Sequence, residues 1–345
     1  MEVTPATEYS IEQVDLARMS DDQLRPFVEL AWRRSKEEVP EDPVIPFEAM
    51  ATRFRVTSPM FVRQRWAVWA APGRLAATLS MSRSTQDNLN IRDLEIEVDP
   101  EHRRRGLGKK LLATAVGACG TADGLILQAW TMSRVPSGAA FAEHVGAKSG
   151  LRMRDSQLDL RTIDRALIER WAAIDPPDYR IEWFGNETPD HLMDNHVAAV
   201  RAINTMPRED LQVEDWKITP ETMREWERVT RERGQEHRVG LVIAESTGAS
   251  AAFTEIFFDP RVPSVIYQGG TATIPEYRGK GIGKWVKARM VQRALDELPE
   301  ARYIRTGNAG TNAAMLAINI GMGFKPVWES VIWQISLEDA RRYVR

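Results

Sequence analysis

Two stretches place arginine and glycine where a chain turns from an extended segment into a helix. TIPEYRGKGIGKW spans Thr273–Trp285, and VDPEHRRRGLGKK spans Val98–Lys110. The first N–H groups of a helix have no intrahelical acceptor, and the helix dipole is positive at that end. Such a terminus binds phosphate, and glycine lets the backbone approach because no Cβ intervenes. Two nucleotide motifs fail on spacing. A P-loop needs a hydroxyl after Gly-Lys, where Trp285 and Lys110 stand; the dinucleotide fingerprint needs G-x-G-x-x-G, whereas this chain has G-x-G-x-G. The spacing therefore points to a pyrophosphate cradle at Arg278, Gly279, Lys280, Gly281, Ile282 and Gly283, with a counterpart at Arg103, Arg105, Gly106 and Gly108.

Two further side chains are placed for proton chemistry. Glu255 interrupts the apolar run AAFTEIFF, where a carboxylate facing a cleft is a candidate general base and one facing water is an ordinary strand residue. Tyr267 opens the strand YQGGTATI and is a candidate acid or a packed strand aromatic. Cys119, the only cysteine, lies in an apolar helical run and reads as a small core residue; it excludes a disulfide or a cysteine-built metal site. His191 and His196 fall on different faces of a helix and read as surface residues.

The elements that position these groups occur twice. The segment from Gly73 recurs from Gly248, with Pro100, Gly106 and Gly108 falling on Pro275, Gly281 and Gly283. The second copy reads as strand YRIEWF, helices TPDHLMDNHVAAVRAINTM and TPETMREWERVTRERG, and strands RVGLVIAES, SAAFTEIFF and SVIYQGGTATI. The glycine turn follows, then a helix over Gly281–Leu298, strand RYIRTGN, helix NAAMLAINIGM and a closing strand pair. The first copy follows the same order, with helices SDDQLRPFVELAWRRSKEEV and Gly106–Cys119. Prolines and aspartates in AAIDPPDYR place the join near Pro176, giving domains 1–175 and 176–345. The copies differ where chemistry would occur: Gly269-Gly270 against Leu94-Glu95, Glu255 against Ser80, and Asn308 against Trp130. Glycine pairs in strands mark bulges, so the second copy is expected to work and the first to be a degenerate copy.

The chain has 345 residues, enough for two cores at 43% hydrophobic content, and a net charge of −3 that offers no basic field to nucleic acid. The acidic, polar start is no secretory signal and no apolar run reaches the length of a membrane span, so a cytoplasmic protein is expected, with neither nucleic acid nor membrane as partner.

VDPEHRRRGLG and TIPEYRGKGIG resemble the acyl-CoA signature Gln/Arg-x-x-Gly-x-Gly/Ala of the general-control-related N-acetyltransferase (GNAT) superfamily, and GNAGTNAAMLAINIGMGFKP is similar to its strand–helix–GF ending. Two such domains in tandem resemble mycothiol synthase and related bacterial acetyltransferases. The resemblance implies an α/β fold of two GNAT domains, each a mixed, mostly antiparallel sheet flanked by helices, splayed so that pantetheine enters like an added strand. It assigns acetyl-CoA as co-substrate, with no metal, and extends the contacts to Ile274, Asn308 and Asn312. It implies direct acetyl transfer to an amine of a small molecule by a monomer or homodimer; a protein lysine or N-terminal acetyltransferase and a CoA-binding regulatory pseudoenzyme are the alternatives. The tyrosine that often serves as acid in the family is Asn319 here and Ala142 in the first copy, which leaves Tyr267 or solvent for that role.

Overall fold

A computed structural model of the protein describes residues 9–345. The first half runs β1 (Ser10–Val14), α1 (Asp21–Glu38), α2 (Phe47–Arg55), β2 (Phe61–Ala71), β3 (Arg74–Ser84), β4 (Ile91–Val98), α3 (Leu107–Ala118), β5 (Ile126–Met132), α4 (Pro136–His144), β6 (Lys148–Asp159) and α5 (Arg165–Ala172). The second runs β7 (Tyr179–Phe184), α6 (Met193–Arg201), α7 (Pro220–Glu232), β8 (Glu236–Ala244), β9 (Ser250–Phe258), β10 (Val265–Thr273), α8 (Ile282–Glu297), β11 (Tyr303–Ala309), α9 (Ala313–Met322), β12 (Lys325–Ser336) and α10 (Leu337–Val344).

Local chemistry explains the main boundaries. Ser20 and Gln23 close a capping box at the start of α1, and Thr219 accepts the Thr222 N–H ahead of Pro220 in α7. The segment after Pro189 begins as a 3-10 turn, Asp190–Leu192, before α6. The expected closing strand pair is one strand, β12; α5 ends at Ala172, where the prolines and aspartates of AAIDPPDYR interrupt it, and the short helices α2 and α10 were not legible in the sequence.

The chain folds as two compact units, neither of them continuous. Unit 1 comprises Met1–Leu151, Asp210–Glu214 and Ser330–Arg345; unit 2 comprises Arg152–Glu209 and Asp215–Glu329. These units differ from a cut near Pro176. In unit 1, β5 pairs with the second half of β12, Met132 opposite Ser330 and Ile126 opposite Ser336. Leu337 and Ala340 of α10 enter its core beside Leu111 and Ala115 of α3. In unit 2, β11 pairs with the second half of β6, Tyr303 opposite Asp159 and Ala309 opposite Met153. Ile168 and Ala172 of α5 pack with Ala288, Val291 and Ala294 of α8, and Trp285 Nε1 donates to the Ala172 carbonyl at 3.1 Å. Each unit is thus closed by a strand and a helix that the sequence attaches to the other copy.

Within unit 1 the strand order is β1-β2-β3-β4-β5-β12, and within unit 2 it is β7-β8-β9-β10-β11-β6. Pairing is antiparallel except β4 with β5 and β10 with β11, so each sheet is mixed and mostly antiparallel. Both parallel pairs are short: Ile91–Leu94 against Ile126–Ala129, and Val265–Tyr267 against Tyr303–Arg305. Beyond Tyr267 and Arg305 the two strands no longer pair, so the second half of β10, which runs into the glycine turn, has no β11 residue opposite it. Among the described residues no helix is long and apolar enough to cross a membrane.

Candidate active site

The turn before α8 has the backbone that its glycines predict. Gly279 and Gly281 have φ of 79° and 78°, in the left-handed region, and a Cβ on either would meet nothing within 4 Å. The helical ladder starts only at the Trp285 N–H, which donates to the Gly281 carbonyl at 3.0 Å, so the N–H groups of Ile282, Gly283 and Lys284 precede it. The Ile282 side chain is buried with Trp285 and Val286, and its backbone alone belongs to the turn. Arg278 donates through Nε to the Thr273 carbonyl and through Nη2 to Thr205, while Lys280 donates to the Tyr179 hydroxyl at 3.1 Å. Open N–H groups, two basic side chains and empty space over two glycines fit a pyrophosphate.

Unit 1 builds the same turn from a different sequence. Gly106 has φ of 79°, Arg103 Nε donates to the Val98 carbonyl, and Arg105 donates to the Tyr9 hydroxyl, matching Gly281, Arg278 and Lys280. Arg104 takes the left-handed conformation (φ 62°) that Gly279 takes in unit 2. The Arg103 guanidinium is held by both oxygens of Glu37, at 2.7 and 2.5 Å, so its charge is already paired. A Cβ on Gly108 would meet the Phe141 ring at 3.2 Å.

The glycine pair of β10 forms a bulge. Tyr267 pairs with Phe257 and Thr271 with Thr254, so four steps on β10 span three on β9. The β3–β4 ladder of unit 1 runs from Ala77–Val98 to Ser82–Asp93 without a break, and Arg34 holds Glu95 and Glu97 there in ion pairs. The bulge turns the Gly270 N–H onto Glu255 Oε1 at 2.9 Å, while Oε2 lies 2.9 Å from His237 Nε2. Burial pushes the Glu255 carboxyl up, but the His237 hydrogen bond and charge and the Gly270 N–H outweigh it and hold the group below the usual carboxylate range. An ionised carboxylate only accepts, so His237 donates to it from Nε2, and Nδ1 lies on the far side of the ring from Glu255. Its ring stacks on Phe257 at 4.2 Å and 3°. Tyr267, half exposed, stands beside Phe257 in the register and shares its face of the sheet.

His237 was missed in the sequence; only the β8–β9 register, His237 opposite Phe257, reveals it. His196 corrects an expectation in the other direction. It is fully buried rather than on the surface, with Nδ1 at 2.8 Å from Thr188 Oγ1, whereas His191 is exposed. The Thr188 hydroxyl donates to Glu227 Oε1 at 2.6 Å, so it accepts from His196 Nδ1–H. Burial brings the His196 pKa down to about 4.

A second buried group lies on the other side of β10. Lys287 of α8 is 1% exposed, and its Nζ donates to Asn319 Oδ1 at 2.6 Å, with Met315 Sδ at 4.0 Å and the Phe324 ring 5.0 Å away. Burial lowers its pKa to about 7. Asn319 Nδ2 donates on to Asn308 Oδ1 at 2.6 Å. Asn312 caps α9, accepting the Met315 N–H at 3.3 Å, and Ile274 packs partly buried beside Ala272. In unit 1 the position of Asn308 on the strand is held by Thr131 rather than Trp130, because Ile126 and Tyr303 open the two strands in equivalent registers.

Comparison with known proteins settles the family. The model of the acetyltransferase (GNAT) family matches residues 24–146 and again 200–318. The chain belongs to the GNAT family. A solved tandem GNAT protein from the clavulanic acid biosynthesis pathway, determined without AcCoA, superposes with a TM-score of 0.77 at 23% identity, covering 96% of this chain and 99% of that one. A GCN5-related N-acetyltransferase from Sphaerobacter thermophilus gives 0.64 at 13% identity over 97% of both chains. A putative acetyltransferase from Pyrococcus horikoshii gives 0.54 at 11% identity, covering 97% and 91%. No curated protein sequence matches significantly. At these identities the structures show the GNAT fold and its tandem arrangement; they add nothing to the narrower likeness to mycothiol synthase. Among the described residues no group of three or more His, Cys, Asp or Glu side chains is arranged to hold a metal.

Proposed function

We propose that unit 2 is an N-acetyltransferase that passes acetyl from acetyl-CoA to an amine of a small molecule while both are bound. The observation that carries this reading is the joining of three features: the Glu255–His237 pair on β9 and β8, the bulge at Gly269-Gly270 of the adjoining β10, whose Gly270 N–H reaches Glu255, and the glycine turn that follows β10 before α8. The turn would hold the pyrophosphate through the N–H groups of Ile282, Gly283 and Lys284, with Arg278 and Lys280 beside it. Acetyl-CoA supplies the acetyl group activated as a thioester.

The chain's own part is proton handling and positioning. An ammonium has no lone pair, so the acceptor must lose a proton before it can attack. His237 Nδ1 takes that proton, and Glu255 fixes the tautomer and balances the positive charge that forms on the ring. Glu255 is therefore a positioning partner, in place of the direct base expected from the sequence. Holding both reactants in one cleft supplies a large part of the acceleration. As the amide C–N bond forms and the thioester C–S bond breaks, the departing thiolate takes a proton from Tyr267, half exposed on the same face, or from solvent.

Thiol release from acetyl-CoA across a panel of amino sugars, amino acids and lysine peptides, with mass spectrometry of the products, tests the reading. An acetylated small amine supports it, and an acetylated peptide alone moves the acceptor class to proteins. Binding with no amine-dependent release leaves a CoA-binding regulator.

A further inference from the structure

Lysine is seldom fully buried without a carboxylate, yet Lys287 Nζ meets an amide oxygen, a thioether and an aromatic face. The same helix position in unit 1 is Leu112, and the α9 position of Asn319 is Ala142 on α4, both buried and apolar. Lysine and asparagine thus occur together in the unit with the bulge, and neither occurs in the other.

The chemistry of the three side chains fixes a direction. A lysine ammonium has donors only. Asn319 must turn its oxygen to Lys287, and its NH2 then faces Asn308, at 2.6 Å in both cases. Asn308 is left accepting with its oxygen and presenting its own NH2. That residue lies on β11 beyond Arg305, where β10 no longer pairs with it. We propose that Lys287 sets the polarity of this chain, so that Asn308 offers N–H donors to a carbonyl oxygen of the acyl-CoA. Lys287 and Asn319 are positioning residues, and the inference rests on the acyl-transfer reading above only for its ligand.

Asn319→Asp separates this role from a structural one. Aspartate keeps the contact to Lys287 and adds an ion pair, so the fold is retained, but it can only accept. Asn308 then turns its NH2 inward and its oxygen outward. Acetyl-CoA affinity, read by calorimetry, is expected to fall by about tenfold or more, with an unchanged or raised unfolding temperature. Lys287→Met is expected to lower affinity as well without loss of fold. Unchanged affinity in folded Asn319→Asp overturns the proposal. Side-chain amide exchange by NMR reads the polarity without any ligand: the Asn319 NH2 should be protected and the Asn308 NH2 should exchange fast. A protected Asn308 NH2 overturns the polarity itself, whereas absence of acetyl-CoA binding by the unaltered protein overturns the acyl-transfer reading and the ligand named here.

Discussion

Single side chains set the chemistry of unit 2. Glu255→Gln keeps a neutral partner for the Gly270 N–H but no longer balances a charged His237 ring. Turnover should fall by about two to four orders of magnitude, with acetyl-CoA affinity within about threefold of the parent. Steady-state kinetics with parallel calorimetry checks this, and equal turnover removes the pair from the mechanism. Lys287 carries a stability consequence of definite sign. Its amine titrates near 10.5 unfolded and near 7 folded, so between those values the unfolded chain binds more protons. Stability therefore climbs as pH rises from about 7 to about 10.5, and the full cost is present below 7. Lys287→Met removes that cost, at most ~5 kcal/mol, while orphaning the Asn319 carbonyl at about 1–3 kcal/mol. The variant should melt higher than the parent at pH 6.5 and lose that margin by pH ~10; a constant margin across that range contradicts the assignment.

Elements decide which of these residues a sequence can disclose. The glycine turns were legible because the spacing of Arg278, Gly281 and Gly283 repeats at Arg103, Gly106 and Gly108, and φ near 78° confirms the need for glycine at Gly281. Glu255 was visible as one charge in an apolar strand. His237 was not, because its role depends on register between β8 and β9, which no local pattern specifies. Lys287 was hidden for another reason: α8 packs against α5 and against β8, β9 and β10, so its burial extends beyond the apolar stripe that includes Ile282, Val286 and Met290. The bulge offers the test at this scale. A Cβ on Gly270 would lie 2.6 Å from the Phe253 ring and 3.1 Å from Ile203. Gly270→Ala should cost about 1–3 kcal/mol and shift the N–H that holds Glu255, lowering both the unfolding temperature and turnover. An alanine variant with native melting and native rate would mean that the bulge carries no strict steric demand.

At the scale of the whole molecule, the repeat was legible and the closure of each unit was not. Two colinear copies say nothing about whose strand completes whose sheet. Unit 2 needs Arg152–Asp159 beside β11 and α5 against α8, all of it N-terminal to Pro176. A fragment spanning 176–345 should therefore be unfolded or aggregated, with β11 left as an open edge, whereas residues 152–329 contain nearly all of that core. Circular dichroism and thermal melting of the two fragments distinguish them. Cooperative melting of the 176–345 fragment would show that the borrowed strand is dispensable.

The order of synthesis gives the same closure a kinetic meaning. Met132 finds its partner in Ser330, and α3 is covered by a helix that begins at Leu337. The sheet whose strands leave the ribosome first is thus the last to be sealed, and β5, paired with β4 on one side, waits with its other edge open until β12 is made. Pairings so distant in sequence form slowly, and an open strand recruits neighbours in the meantime. Until residues 330–344 have been made, the free edge of β5 is open to non-native pairing.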